Sequence, residues 1–342
     1  MTKIVYFDVK EYEYEYLKSK NEGKYDYCLI SEPLNDSFEV TDIYRDADII
    51  SVFTTSRVTK EVLKQFKKLK LIALRSVGFN HIDTKYCKKH NIVIVNSLNY
   101  GSITVAEFSL GLLLDVSRKI TASYNEYKNG KICPHLLIGS ELYDKTIGIV
   151  GLGAIGRAFA KIVHGLGMNI LAYDIKEDEE LKNKYGIEYT DFNSLIRNSD
   201  FISIHTPLTK QNYHMFTKDV FQKMKKTAII INTGRGEIID TQALYNALVT
   251  GEIAGAGLDV LENEETVSDF DYMLEINRVD KNILEKTVIN TKLFQLDNVV
   301  ITPHVAYNTQ EAITRILATT MDNIDSFCEG IIKNRVNHSA SN

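Results

Sequence analysis

Three ionisable side chains, Arg235, Glu264 and His304, stand just past apolar, β-rich runs in "AIIINTGRG", "GAGLDVLENEE" and "VVITPH". The middle run also delivers Asp259. Ligands of open α/β sheets bind beyond the carboxyl ends of the strands, so groups placed there can converge. Singly, each has an ordinary structural reading: an arginine capping a turn, an acid in a solvated loop, a core histidine. As a set they suit hydride transfer to a 2-keto acid, which needs a cation for the carboxylate, a proton donor for the carbonyl oxygen and a nicotinamide on one face. A guanidinium matches a carboxylate in bidentate fashion, where a lysine would not. His304 then donates the proton in reduction and accepts it in oxidation. Glu264 beside it favours the imidazolium and orients the ring.

A cofactor site for such chemistry is written in "IGIVGLGAIGRAFAKIVHGLGMNILAYD", residues 147–174. An isolated GxGxxG is a weak signal, but here a strand runs directly into Gly151, Gly153 and Gly156 and a helix follows at once. Gly151 permits the tight turn, Gly153 lets a pyrophosphate approach the backbone, and Gly156 lets helix and strand pack closely. The helix start offers free N–H groups and a positive dipole end to the phosphates. A second strand ends in Asp174, 18 residues beyond Gly156, where a ribose-binding carboxylate belongs. An ionised Asp repels a 2′-phosphate by on the order of a few kcal/mol at an effective dielectric near 20, which favours NAD over NADP. Lys176, two residues on, is a cation that a 2′-phosphate would use.

These groups need a scaffold, and the hydrophobic pattern supplies one. Apolar runs at 4–7, 47–53, 71–74, 92–97, 147–150, 170–173, 201–204, 228–231, 254–258 and 299–302 read as strands, continuous rather than alternating, as in parallel sheets covered on both faces. Helical spacing is expected over 59–69, over Ser102–Ile120 with Val105, Phe108, Leu112 and Val116 on one face, over 154–166 and over 309–329. The polar stretch 262–297 reads as loop with short helix. The class is α/β with doubly wound sheets, and 342 residues suffice for two cores.

Bulk properties narrow the function further. With 40 basic against 45 acidic side chains and a net charge of −5, a nucleic-acid partner is not expected. Cys28, Cys87, Cys133 and Cys328 show no metal-ligand spacing, so no metal is expected and the thiols read as reduced. The amino terminus lacks the layout of a secretory signal and no apolar run approaches the roughly 18 residues of a membrane span, so the expected location is the cytoplasm.

Across nearly the whole chain, "RSVGFNHID", "GLGAIGRAFAKI", "HTPLTKQNYHMF", "INTGRGEIIDTQAL", "GAGLDVLENEE" and "VVITPHVAYNTQEA" resemble the D-isomer-specific 2-hydroxyacid dehydrogenases. Within that family they look most like the D-lactate dehydrogenases, including the type associated with vancomycin resistance. The resemblance implies Arg235, Glu264 and His304 as the catalytic trio. It implies NAD contacts at Ala154, Ile155, Asp174, Thr206, Pro207, Asn212, Thr233, Gly234, Arg235 and Asp259, beside the motif glycines. It assigns the substrate carboxylate to backbone N–H groups of Val77 and Gly78, and Tyr100 to the pocket. It also implies a Rossmann NAD-binding domain (101–302) inserted into a flavodoxin-like substrate domain (1–100 and 303–342), and a homodimer formed through Ser102–Ile120. Where lactate dehydrogenases of this group often read "YSPNAIAEH", this chain has "YGSITVAEF", and its 265–297 segment is longer than in many relatives.

Phe53, Tyr100 and Tyr307 are candidate pocket walls, each with an equally ordinary reading as core. An apolar wall favours a small aliphatic keto acid over a phosphorylated one, which would need several basic groups. The expected activity is reversible, NAD-dependent reduction of pyruvate to D-lactate. The alternatives are a bulkier 2-keto acid or hydroxypyruvate and, in another class, an NAD(H)-sensing binding protein or corepressor.

Overall fold

The computed structural model describes every residue except 99, 132–134, 136, 265–280 and 337–342, and the backbone alone for 281–285. Cys133 and the first part of the 265–297 segment therefore lie outside the described residues. Cys28, Cys87 and Cys328 carry free thiols. The chain forms two compact units, Met1–Tyr100 with Thr309–Asn342, and Gly101–Asn308.

Among the described residues the first unit holds a five-stranded parallel sheet, β1 (Lys3–Tyr6), β2 (Asp26–Leu29), β3 (Ile49–Val52), β4 (Leu71–Leu74) and β5 (Val93–Val95), in the order β2-β1-β3-β4-β5. That is the flavodoxin-like order. The central strands β3 and β4 are buried at every position, which explains their unbroken apolar sequence. The edge strand β2, DYCL, is only partly buried, and its mixed residues hide it from the hydrophobic pattern. Over 59–69 the helix proper is short, Lys60–Leu63, capped by the Thr59 hydroxyl. Gln65 and Phe66 continue it as turns that donate three residues back, so Val62, Leu63 and Phe66 still face the core. The helix Gln310–Cys328 lays Leu317, Met321 and Ile324 against Ile4, Tyr6, Ile49 and Leu71.

The second unit holds β6 (Thr146–Val150), β7 (Asn169–Tyr173), β8 (Glu188–Tyr189), β9 (Phe201–Ile204), β10 (Ile229–Asn232), β11 (Gly255–Leu258) and β12 (Val299–Ile301), a seven-stranded parallel sheet ordered β12-β11-β10-β9-β6-β7-β8. Strand order reverses around β6, which pairs β7 on one side and β9 on the other, a topological switch point of the kind where dinucleotides bind. On one face, helices Ser102–Arg118 and Ala154–Gly165 bury Leu112, Leu113, Phe159 and Val163 against Ile147 and Ile149. On the other, helix Thr241–Val249 packs Leu244 and Leu248 among Ile202, Ile204 and Ile230.

The long helix expected to reach Ile120 stops at Arg118. Lys119 adopts a left-handed conformation, φ 54°, and a second helix, Ile120–Lys128, begins. Asp115 spans the break, its carboxylate accepting from both the backbone N–H and the hydroxyl of Thr121, at 2.7 and 2.6 Å, and so satisfying a donor of the new helix's first turn. The stretch after 280, expected as loop with short helix, is a 14-residue helix, Lys281–Phe294.

Candidate active site

The glycine loop joins β6 to the helix Ala154–Gly165 and does what its residues demand. Gly151 has φ +95°, and a Cβ on Gly156 would sit 2.0 Å from the Gly151 carbonyl oxygen, so neither position tolerates a side chain. Gly153, at the helix start, has nothing within 4 Å of where its Cβ would be and, as the N-cap residue, brings no side chain to cap the first helical turn. An open approach and a helix amino terminus form a cradle for an anionic pyrophosphate. Asp174, at the end of β7, is held beside this loop: its Oδ2 accepts from the Leu152 N–H at 2.6 Å and its Oδ1 from the Lys176 N–H at 3.0 Å. Each carboxylate oxygen keeps a second lone pair for a ribose hydroxyl. The donor set therefore fits NAD.

Past β9, Thr206 and Pro207 lie beside the glycine loop, for the His205 carbonyl is within 2.9 Å of the Gly151 Cβ position. Asn212 braces this loop through a 2.7 Å bond from its Nδ2 to the Pro207 carbonyl and a 2.6 Å bond from the Thr209 N–H to its Oδ1. Thr233, past β10, is tied at 2.9 Å to Ser109 of the helix Ser102–Arg118.

Arg235 follows in a turn stitched by Asn232, whose Nδ2 donates to the Arg235 carbonyl and whose Oδ1 accepts from the Gly234 N–H. From β11 comes Asp259, 1% exposed, whose two carboxylate oxygens receive the Thr302 hydroxyl (2.6 Å) and the N–H groups of Val305 (3.0 Å) and Ala306 (2.9 Å). Burial pushes its carboxyl up, against these three bonds and the nearby His304 charge. Asp259 thus organises the turn that carries His304. His304 itself is left-handed at φ 53°, a conformation costing about 1–2 kcal/mol, with its N–H on the Asp259 carbonyl at 2.9 Å.

The His304 Nδ1–H donates to Glu264 Oε1 at 2.5 Å, which leaves Nε2 for a substrate. Burial would lower the pKa of this ring, but the Glu264 hydrogen bond and charge outweigh it and raise the net value. The Arg235 charge presses the other way. Glu264 and His304, 40 residues apart in the chain, thus meet past β11 and β12, while Arg235 stands past β10 with its Nη1 on the Gly234 carbonyl at 2.8 Å.

Residues 110–306 match the family described as D-isomer specific 2-hydroxyacid dehydrogenase, NAD binding domain. The chain belongs to that family. Among its relatives is a glyoxylate reductase of Korarchaeum cryptofilum, 35% identical over 84% of this chain and 82% of its own length. Solved structures resembling this dehydrogenase include the D-lactate dehydrogenase of Aquifex aeolicus complexed with NAD and lactic acid, at 32% identity, TM-score 0.82 and 96% coverage of both chains. Another is the pyruvate reductase of Chlamydomonas reinhardtii, at 31% identity, TM-score 0.86 and 97% coverage of both.

The remaining sequence candidates of the dehydrogenase divide between the two units. Phe53, Val77, Gly78 and Tyr100 belong to the first. There the Asn96 side chain donates to the Val77 carbonyl at 2.8 Å, the Ser76 hydroxyl to the Gly78 carbonyl at 2.7 Å, and Arg315 to the Tyr100 carbonyl at 2.8 Å. Tyr307 belongs to the second, near Gly101. Not singled out by the sequence patterns are the buried Glu262 and Thr241 and the part-exposed His214 and Lys286, which bond to one another around Glu262, two residues before Glu264. A pair of acids spaced like Glu262 and Glu264 is the one available signal. Among the described residues no group of His, Cys, Asp and Glu is arranged to hold a metal, and no helix is long and apolar enough to cross a membrane.

Proposed function

We propose that this dehydrogenase reduces pyruvate to D-lactate, reversibly. The observation that carries the reading is the 2.5 Å pairing of His304 with Glu264, on a ring that the Arg235 charge also acts on. When bound, NADH supplies the hydride, with its electron pair, to the carbonyl carbon. The His304 imidazolium gives its Nε2 proton to the carbonyl oxygen as the C=O π bond breaks, and water returns a proton to the ring afterwards. Glu264 keeps the ring oriented and cationic, and Arg235 grips the carboxylate and stabilises the growing charge on oxygen. It is the family resemblance that points to backbone N–H groups of Val77 and Gly78 for the carboxylate and to Tyr100 for the pocket, while Phe53 and Tyr307 are candidates from the sequence. Asp174 selects NAD by accepting from the ribose hydroxyls.

The 35% identity to a glyoxylate reductase supports a second reading in which the shorter keto acid glyoxylate is preferred. Following NADH oxidation with pyruvate, glyoxylate, hydroxypyruvate and branched or aromatic 2-keto acids, with chiral analysis of the product, separates the two. The expected result is the highest kcat/KM for pyruvate and a D product. A preference for glyoxylate, or an L product, rejects it.

A cytoplasmic homodimer completes the proposal. Ile120, Tyr124 and Tyr127 are more than half exposed on the helix after Lys119, an apolar strip suited to a second copy. Light scattering on the purified protein tests the dimer.

A further inference from the structure

Glu264 and His304 both keep substantial access to water, with side chains 35% and 44% exposed. Exposed ion pairs between mobile side chains hold together weakly, because ordering both costs entropy that solvent-screened attraction barely offsets. The 2.5 Å pairing therefore needs a source of rigidity, and one lies two residues upstream.

Glu262 is 2% exposed and held from three elements. Its Oε1 accepts from His214 Nε2 at 2.8 Å and Lys286 Nζ at 2.6 Å, and its Oε2 from the Thr241 hydroxyl at 2.7 Å and N–H at 3.1 Å. Its main-chain carbonyl takes a further bond from Asn290 Nδ2 at 3.0 Å. Lys286 and Asn290 are one turn apart on the helix Lys281–Phe294, so one helical face grips both the side chain and the backbone of Glu262. Thr241 opens the next helix in the sheet's cover, and His214 is fixed by its own N–H on the Glu237 carbonyl at 2.8 Å. Only Asn263, left-handed at φ 52°, separates this clasp from Glu264, whose Oε2 accepts from the Leu261 N–H at 3.2 Å.

We propose that Glu262 is a positioning residue, and the helix Lys281–Phe294 a clamp, that together hold the 261–264 turn so that Glu264 meets His304. The clamp rests on the roles given above to Glu264 and His304, and it gives the segment before β12 a task. Burial disfavours both charges of the clasp, yet their mutual bond leaves the Glu262 carboxyl below its ordinary range and the Lys286 ammonium above its own. Asp240 and Tyr213 also act on Lys286. The charged groups acting on His304 are Glu264, Arg235 and Asp259.

The test compares Lys286→Met, Lys286→Arg and Glu262→Gln by three readouts: steady-state pH profiles, NMR titration of His304 without substrate, and NADH binding followed by fluorescence. Lys286 is part-exposed, so its variants are the ones expected to fold even if Glu262→Gln does not. Loosening the turn should lower kcat for keto-acid reduction about tenfold in Lys286→Met, less than the roughly hundredfold that a 1 Å misplacement can cost. The alkaline limb of that profile and the His304 titration should both move toward acid, with NADH affinity unchanged, and Lys286→Arg should restore all of these. A lower Tm with an unmoved His304 titration and pH profile would make the clasp merely structural and overturn the proposal. Because the titration is read without substrate, it remains decisive if the keto-acid reading fails, which a wild-type protein inactive on every keto acid would reveal separately.

Discussion

His205 follows β9 directly and His304 follows β12 by three residues, so two imidazoles stand past strand ends of the same parallel sheet. Their surroundings make them opposites. His205 is buried, its ring tilted against Phe159 at 4.9 Å and its Nε2 on the Ser203 hydroxyl at 2.9 Å, and burial pushes its pKa down to about 3. His304 reaches water, meets a carboxylate, and has its pKa raised. Position at a strand end therefore brings a histidine to the functional edge of the sheet, but a carboxylate neighbour decides whether it can work as an acid at neutral pH. His205 is a neutral wedge under the glycine loop.

The sharpest way to break this contrast is His304→Ala. Loss of the proposed proton donor should lower kcat for keto-acid reduction about a thousandfold while NADH still binds, measured by steady-state kinetics beside a fluorescence titration. Activity within a few fold of wild type would end the distinction between the two rings.

Glu264→Gln probes the carboxylate alone. With it gone, burial and the Arg235 charge act to lower the His304 pKa against only the smaller opposing effect of Asp259. A raised pKa keeps the imidazolium populated above the ordinary histidine value, so reduction in the wild type persists to a higher pH and is lost as pH rises through the raised value. In the variant that limb should move toward acid, with about a tenfold lower reductive kcat at neutral pH. Oxidation of the hydroxy acid, which needs neutral imidazole, should extend to lower pH. Superimposable profiles would remove Glu264 from the mechanism.

The smallest effect is expected at His205→Gln, which keeps a polar group for Ser203. Its catalytic profile should match wild type, with Tm at neutral pH shifted by about 4 °C or less. The difference should appear in acid. A folded-state pKa depressed to about 3 means that stability is fully present above the unfolded value near 6.5 and drains away as pH falls toward 3. His81, held near 4 by burial, contributes in the same sense within the first unit, so the His205→Gln variant should lose part of that acid slope and keep the rest, read by Tm against pH.

Legibility in the sequence follows distance along the chain. The cofactor loop is local, with strand, three glycines, helix and acid inside residues 147–174, and its geometry repeats the order of its letters. The central strands are equally plain because burial on both faces demands unbroken apolar runs. The edge strands β2 and β8 are not, since partial exposure admits residues such as Asp26 and Glu188. The break at Lys119 is hidden because the contact that spans it, Asp115 with Thr121, is a side-chain event with no mark in hydrophobic period. Family resemblance marks Asp259 as a cofactor contact, and the structure adds that its hydrogen bonds go to the turn that presents His304.

By itself, the sequence determined the parallel α/β class and the dinucleotide cradle and pointed to the groups proposed to move a proton and hold a carboxylate, because propensity, hydrophobic period and short-range turn chemistry act between near neighbours. Tertiary structure alone decided which acid touches which base: that His304 leans on Glu264, that His205 turns to a serine hydroxyl instead, and that Glu262 is gripped by residues 48 and 24 positions away. Those contacts depend on loop lengths and strand order across the whole sheet, and the free energy of a charge depends on its partners and its water, neither of which is carried by the residue's own letter.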